Sequence, residues 1–256
     1  MTYPDNAIPR LLLAFMVLLF WCMIQTTLAV AADLAIPPLP PGSHIPAEQL
    51  ILVIGEDAGK TDAVLFAFDR TSSGLKKRFG PLPAVNGRNG FAPSGEKREG
   101  DGRTPTGLFP LEFAFGYAPS IDSKMPYRQA TDDDVWVDDP ASPDYNTWTK
   151  RDQTKAASYE TMKLADHRYR IGISIGYNRN PIVKGMGSAI FLHVWLREGA
   201  PTSGCIAIAD EDLTSILQWL DPAKKPMILM GTRTWISNFE GILHQEQKSP
   251  DDCPAP

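Results

Sequence analysis

Two side chains able to do chemistry together lie in the stretch GSAIFLHVWLREGAPTSGCIAIA, Gly187 to Ala209. Read as a strand, its first half points Ile190, Leu192, Val194 and Leu196 to one face. Phe191, His193 and Trp195 point to the other. One titratable ring therefore stands in an apolar ladder. Eleven residues separate it from Cys205, and Glu198-Gly199 and Ala200-Pro201 supply turn chemistry between them. Such a turn can fold the chain back and bring thiol and imidazole together, the minimum equipment of a cysteine nucleophile. Taken singly, a histidine in an apolar strand is more often a hydrogen-bonded core residue. A lone cysteine is more often a small buried hydrophobe. Their joint placement favours catalysis. Gly204 lets the backbone take a positive φ or approach a ligand just before the thiol, and such turns aim N–H groups at a developing oxyanion. Thr202, Ser203 and Gly204 are the candidate oxyanion and substrate-contact residues.

Other chemistries find less support. There is no C-x-x-C and no H-E-x-x-H, and the four histidines are scattered, so no metal or cofactor is expected. Asp132-Asp133-Asp134 lacks the spaced carboxylates and glycine of a calcium loop and reads as a solvated acidic turn. The net charge of −5, with no basic patch, argues against a nucleic-acid partner. Cys253 sits in a polar, proline-bounded tail, where a disulfide to Cys205 is the competing structural role.

The elements that must position the pair follow from patterning. The chain has 256 residues, 43% hydrophobic and 21% charged, with 23 prolines gathered in connecting stretches. That composition suggests one loop-rich, mainly β domain with accessories. Arg10, the apolar run Leu11–Ile24 and the small residues Ala29, Ala31 and Ala32 read as an export signal over 1–32, or as a membrane anchor through residues 11–24. Either reading places the rest outside the cytoplasmic membrane, in the periplasm or cell envelope. Residues 33–48 read as a proline-rich linker. Leu50–Ile54 and Val64–Phe68 read as a hairpin around Glu56–Gly59. Trp136, Tyr145 and Trp148 read as core. Ser158–Leu164 is a short helical candidate, and Tyr169–Gly176 alternates as a strand. Asp210 is a candidate N-cap for a helix with the stripe Leu213, Ile216, Leu217 and Leu220, ended by Asp221-Pro222. Pro226–Gly231 reads as a closing strand, and 232–256 as a tail holding a helix from Thr234 to Gln247.

His193 followed by Thr202-Ser203-Gly204-Cys205-Ile206 resembles the catalytic motif of the L,D-transpeptidase catalytic domain, the YkuD family. Thr202, Gly204, Cys205 and Ile206 match. Ser203 stands where the motif has a second histidine, Ala207 where it often has asparagine, and the spacer is short. The pattern is similar to a branch with Pro-Thr-[Ala/Ser]-Gly-Cys. A second match lies far away: Gly100-Asp-Gly-Arg-Thr-Pro-Thr-Gly107 resembles the family's turn into a core strand. Arg103 within it reads as a solvated loop charge rather than a substrate contact. The resemblance covers about residues 49–231 and implies a YkuD-like β-sandwich or barrel with one or two short helices. It implies acyl transfer through a Cys205 thioester, with His193 as base oriented by a backbone carbonyl and no cofactor. The implied partners are peptidoglycan stem peptides: a tetrapeptide donor loses its terminal D-alanine and an amine of a neighbouring stem accepts the acyl group. An L,D-carboxypeptidase or another peptidoglycan hydrolase of the same fold is the alternative, and a non-catalytic cell-wall binding module is another. Sortases need a wider His–Cys separation and an arginine soon after the cysteine. NlpC-type peptidases run Cys before His.

Overall fold

The computed structural model describes residues 47–245. The export-signal reading, Cys253 and nearly all of the linker lie outside them. Ala47 and Glu48, at the linker's end, are already tied in, with the Glu48 N–H donating to Lys224 O at 2.9 Å.

The expected hairpin forms from β1 (Gln49–Gly55) and β2 (Asp62–Thr71). A long β3 (Gly74–Val85) continues it. This strand escapes sequence patterning because Pro81 and Pro83 interrupt it. They are tolerated because β3 meets its second neighbour only through Ala84 and Val85. After the loop 86–106 come β4 (Gly107–Gly116) and β5 (Tyr127–Gln129). Then come β6 (Asp134–Val137), β7 (Trp148–Lys150), β8 (Tyr159–Thr161), β9 (Ile171–Ile175), β10 (Phe191–Val194) and β11 (Ile206–Ile208). Helix α1 (Asp210–Trp219), β12 (Met227–Thr232) and α2 (Arg233–Gln245) complete the described chain.

The large sheet runs β12-β1-β2-β3-β11-β10-β9-β4, and a further β12–β4 pairing closes it into an eight-stranded barrel with β5 appended to β4. The closing-strand reading is thus met in the literal sense. The protein is mainly β with two short α-helices. A separate sheet, β7-β6-β8, lies beside it.

Alternation along the barrel strands divides the apolar residues between two clusters. Leu192, Val194, Ile206 and Ile208 join Ile51, Val53 and Ile173 in the main core, to which α1 adds Leu213, Ile216 and Leu217. Phe191 and Cys205 face the other way, into a cluster with Phe115, Trp136, Trp148 and Tyr169 shared with the small sheet. Trp136 and Tyr145 are fully buried.

Three local expectations are corrected. Ser158–Leu164 is not a helix: its centre is β8, paired with β6 through Val135↔Thr161 and Val137↔Tyr159. Seven residues cannot offset the cost of helix nucleation, and an open strand edge supplies backbone partners instead. Asp210 is the first helical residue rather than the cap; Ala209 caps without a side-chain bond, and the Asp210 carboxylate pairs with Arg170. Asp134 is not solvated but 2% exposed. It accepts from the Trp148 indole (2.8 Å) and the Thr131 hydroxyl (2.7 Å), and pairs with Lys150.

Candidate active site

β10 and β11 are parallel neighbours in the register Leu192↔Ile206 and His193↔Ala207. The chain therefore does not simply fold back between them, as the turn residues suggested. It makes a crossover, which parallel pairing requires. Extending the register one residue places Cys205 beside Phe191. His193 and Cys205 thus share one face of adjacent strands, a diagonal step apart, and both line a cavity of about 480 Å³.

The loop that carries the thiol is held by the other motif. Thr202 N–H donates to Asn86 O (2.9 Å) and Arg88 N–H donates to Thr202 O (2.8 Å). Two threonine hydroxyls donate to the Cys205 carbonyl, Thr202 at 2.6 Å and Thr104 at 3.3 Å. Thr104 belongs to the Gly100–Gly107 turn. The two motif matches, a hundred residues apart in sequence, therefore meet on one carbonyl oxygen. Gly204 has φ +147°, and a Cβ there would stand 2.9 Å from Arg103 O, so no other residue fits without strain. Its N–H donates to Thr202 Oγ1 at 3.1 Å. Ser203 Oγ accepts from Arg88 at 3.1 Å. Arg103 is exposed, as expected of a solvated loop charge.

His193 is 5% exposed, and its Nδ1 lies 2.8 Å from Val194 O. A carbonyl only accepts, so Nδ1 carries the proton and Nε2 is left as acceptor. Burial pulls the imidazole down to about 4, against a smaller upward effect of the Val194 carbonyl. Cys205 carries a free thiol. Its sulfur receives the Phe191 N–H at 3.4 Å and donates to Ala189 O at 3.2 Å. Burial, then the negative charge of Glu160, pushes this thiol up to about 12. Burial therefore favours a thiol and a neutral imidazole over an ion pair.

Residues that sequence reasoning did not single out complete the cavity. The Tyr169 ring packs edge-on against His193 with centroids 5.1 Å apart and lines the same cavity as Cys205. The Tyr169 hydroxyl donates to Glu160 Oε1 at 2.6 Å. Burial pushes the Glu160 carboxyl up to about 7, and Asp138 adds to the rise while Tyr169 opposes it. Arg88 and Arg168 also line the cavity. In one sequence Tyr169 was only the start of a strand and Glu160 part of a mistaken helix, so nothing local marked either.

The family model for YkuD, the L,D-transpeptidase catalytic domain, matches residues 60–236. A search of curated proteins gives no match. Among solved structures, the helical cell shape determining protein Pgp2 from Campylobacter jejuni is similar at 16% identity and a TM-score of 0.36. The alignment covers 72% of this chain and 48% of that one, so this chain spans about half the length of that relative.

Proposed function

This chain belongs to the L,D-transpeptidase catalytic domain family, and from that premise we propose that it is an exported cell-wall enzyme that forms peptidoglycan cross-links through a thioester on Cys205. The observation that carries this reading is the pairing of Cys205 with His193 on one face of β10–β11, over a cavity, with Nδ1 committed to Val194 O. Nε2 is then the base. As Sγ bonds to the carbonyl carbon of a tetrapeptide stem, the thiol proton passes to Nε2. The C–N bond breaks, and His193 returns the proton to the departing D-alanine amine. An amine of a second stem then attacks the thioester. His193 takes a proton from it and delivers that proton to the sulfur as the C–S bond breaks.

Because burial disfavours a free thiolate, deprotonation and C–S bond formation are concerted here. The N–H groups of the Ser203-Gly204-Cys205 turn are the oxyanion donors. That of Gly204 must first leave the Thr202 hydroxyl. Export follows from where peptidoglycan lies and from the N-terminal apolar run. Among the described residues no helix is long and apolar enough to cross a membrane.

The test is incubation of the chain, freed of its N-terminal apolar run, with disaccharide-tetrapeptide. Free D-alanine and a cross-linked dimer are expected by mass, and Cys205→Ser yields neither. A carbapenem should add covalently to Cys205. Tripeptide without dimer would make the protein an L,D-carboxypeptidase. Absence of both D-alanine and adduct would remove the enzyme reading.

A further inference from the structure

We propose that Glu160 is the ammonium-binding residue of this cavity, its free carboxylate oxygen receiving a primary amine of a peptidoglycan stem beside Cys205. The proposal rests on the function given above and names the chemistry that this carboxylate selects.

Glu160 lies on β8 and is partly buried in the wall of the cavity. One oxygen accepts from Tyr169 at 2.6 Å. Among the described residues, no lysine or arginine nitrogen lies within ion-pair distance of the carboxylate. Arg168 is the cation whose charge reaches it, but that guanidinium is committed to Asp166, with Nε at 3.0 Å from both oxygens and Nη2 at 2.9 Å. Asp138 adds a second carboxylate to the same wall. A carboxylate drawn from water without a cation costs free energy, and cations are how folded proteins offset that cost. Glu160 lines a cavity with space for a ligand, and one of its oxygens has no donor among the described residues. A primary ammonium, with three donors and one charge, fits it.

The location gives the contact a chemical consequence. Glu160, its donor Tyr169 and Cys205 all line the one cavity. The negative charge of Glu160 opposes the thiolate. An ammonium on Glu160 cancels that charge, so binding the cationic substrate eases ionisation of the nucleophile. Two amines have this chemistry: the side-chain amine of the acyl donor and the amine of the acceptor. If it is the acceptor's, Glu160 takes one proton from the ammonium. His193 takes the second as the N–C bond forms and hands it to the sulfur as C–S breaks, and Glu160 releases its proton to water.

The test has a binding arm and a kinetic arm. Wild type should bind Nα-acetyl-lysine amide at least roughly tenfold tighter than uncharged Nα-acetyl-norleucine amide in an NMR titration, the size of one charge-assisted hydrogen bond. Glu160→Gln should abolish that preference. Tyr169→Phe, which keeps the carboxylate, should retain it. Equal affinity in wild type, or a preference that survives in Glu160→Gln, overturns the proposal. In the kinetic arm, Glu160→Gln should lower D-alanine release if the donor's amine binds there, or dimer formation alone if the acceptor's does. Unchanged rates of both overturn it. Wild type that releases no D-alanine defeats the transpeptidase reading instead, while the binding arm still decides the role of Glu160.

Discussion

The two faces of β10–β11 are almost equally buried, yet they do different things. On the inner face Leu192, Val194, Ile206 and Ile208 are at most 2% exposed and belong to the apolar barrel core. On the outer face His193 and Cys205 are 5% and 6% exposed. There the neighbours are rings, a tyrosine hydroxyl and a carboxylate, and a cavity adjoins them. Burial therefore does not distinguish a stabilising side chain from a chemical one. What distinguishes them is that the outer groups are reactive or retain unspent bonding capacity: a thiol, an imidazole Nε2 and, across the cavity on β8, a carboxylate oxygen. Within the small sheet the same contrast recurs between two carboxylates. Asp134 is surrounded by donors from Trp148, Thr131 and Lys150. They outweigh the upward pressure of burial and hold it at about 2. Glu160 has one donor and is pushed up to about 7.

The comparison breaks most visibly on the outer face. Cys205→Ala is expected to abolish both D-alanine release and adduct formation while leaving the barrel folded, as circular dichroism and mass spectrometry would show. His193→Ala should cost roughly 10²–10⁴-fold in rate with the fold retained. If instead the melting temperature collapses and the remaining folded protein is fully active, His193 belongs with the inner face. On that inner face, Leu192→Ala should remove about 2–5 kcal/mol of stability in a denaturant titration, with the rate of the folded fraction unchanged.

Two pH windows sharpen the contrast further. Burial lowers His193 from 6.5 in the unfolded chain to about 4, so the folded state resists its protonation. The associated stability is full above pH 6.5 and is lost as pH falls towards 4, by about 3 kcal/mol. Glu160, raised to about 7, shifts stability the opposite way in this window, so the measure is the stability difference between wild type and His193→Gln, which should move against wild type between pH 7 and pH 4 in urea titrations. Asp134 works in a lower window. Its carboxyl is held at about 2 against 3.8, so its contribution is full above pH 3.8 and fades as pH falls through 2, by about 2 kcal/mol. Asp134→Asn should reduce the loss only in that lower window, where other lowered carboxyls such as Asp101 and Asp166 still contribute; a change in the upper window as well would mean the two regions are coupled.

Much was legible along the chain because it depends on nearest neighbours in sequence. The facing of Phe191 and His193 opposite Leu192 and Val194 is set by the two-residue strand period. The stripe Leu213, Ile216, Leu217 and Leu220 is set by the helical one. The demand for glycine at 204 follows from the turn before the thiol. Other features needed the closed barrel. The parallel register of β10 and β11 depends on which strands the closure makes adjacent, and turn residues alone suggested a reversal. The strand at 159–161 exists because β6 offers a free edge, not because of its own propensity. The meeting of Thr104 with Thr202 on the Cys205 carbonyl, and of Glu160 with Cys205 in one cavity, join residues far apart in sequence. Single-chain periodicity carries no information about such distances. The residue types and strand faces of His193 and Cys205 were therefore written in the sequence. Their spacing across the sheet, the depth that disfavours charge on both, and the carboxylate that shares their cavity were decided only by folding, because desolvation and pairing depend on what the rest of the chain brings alongside.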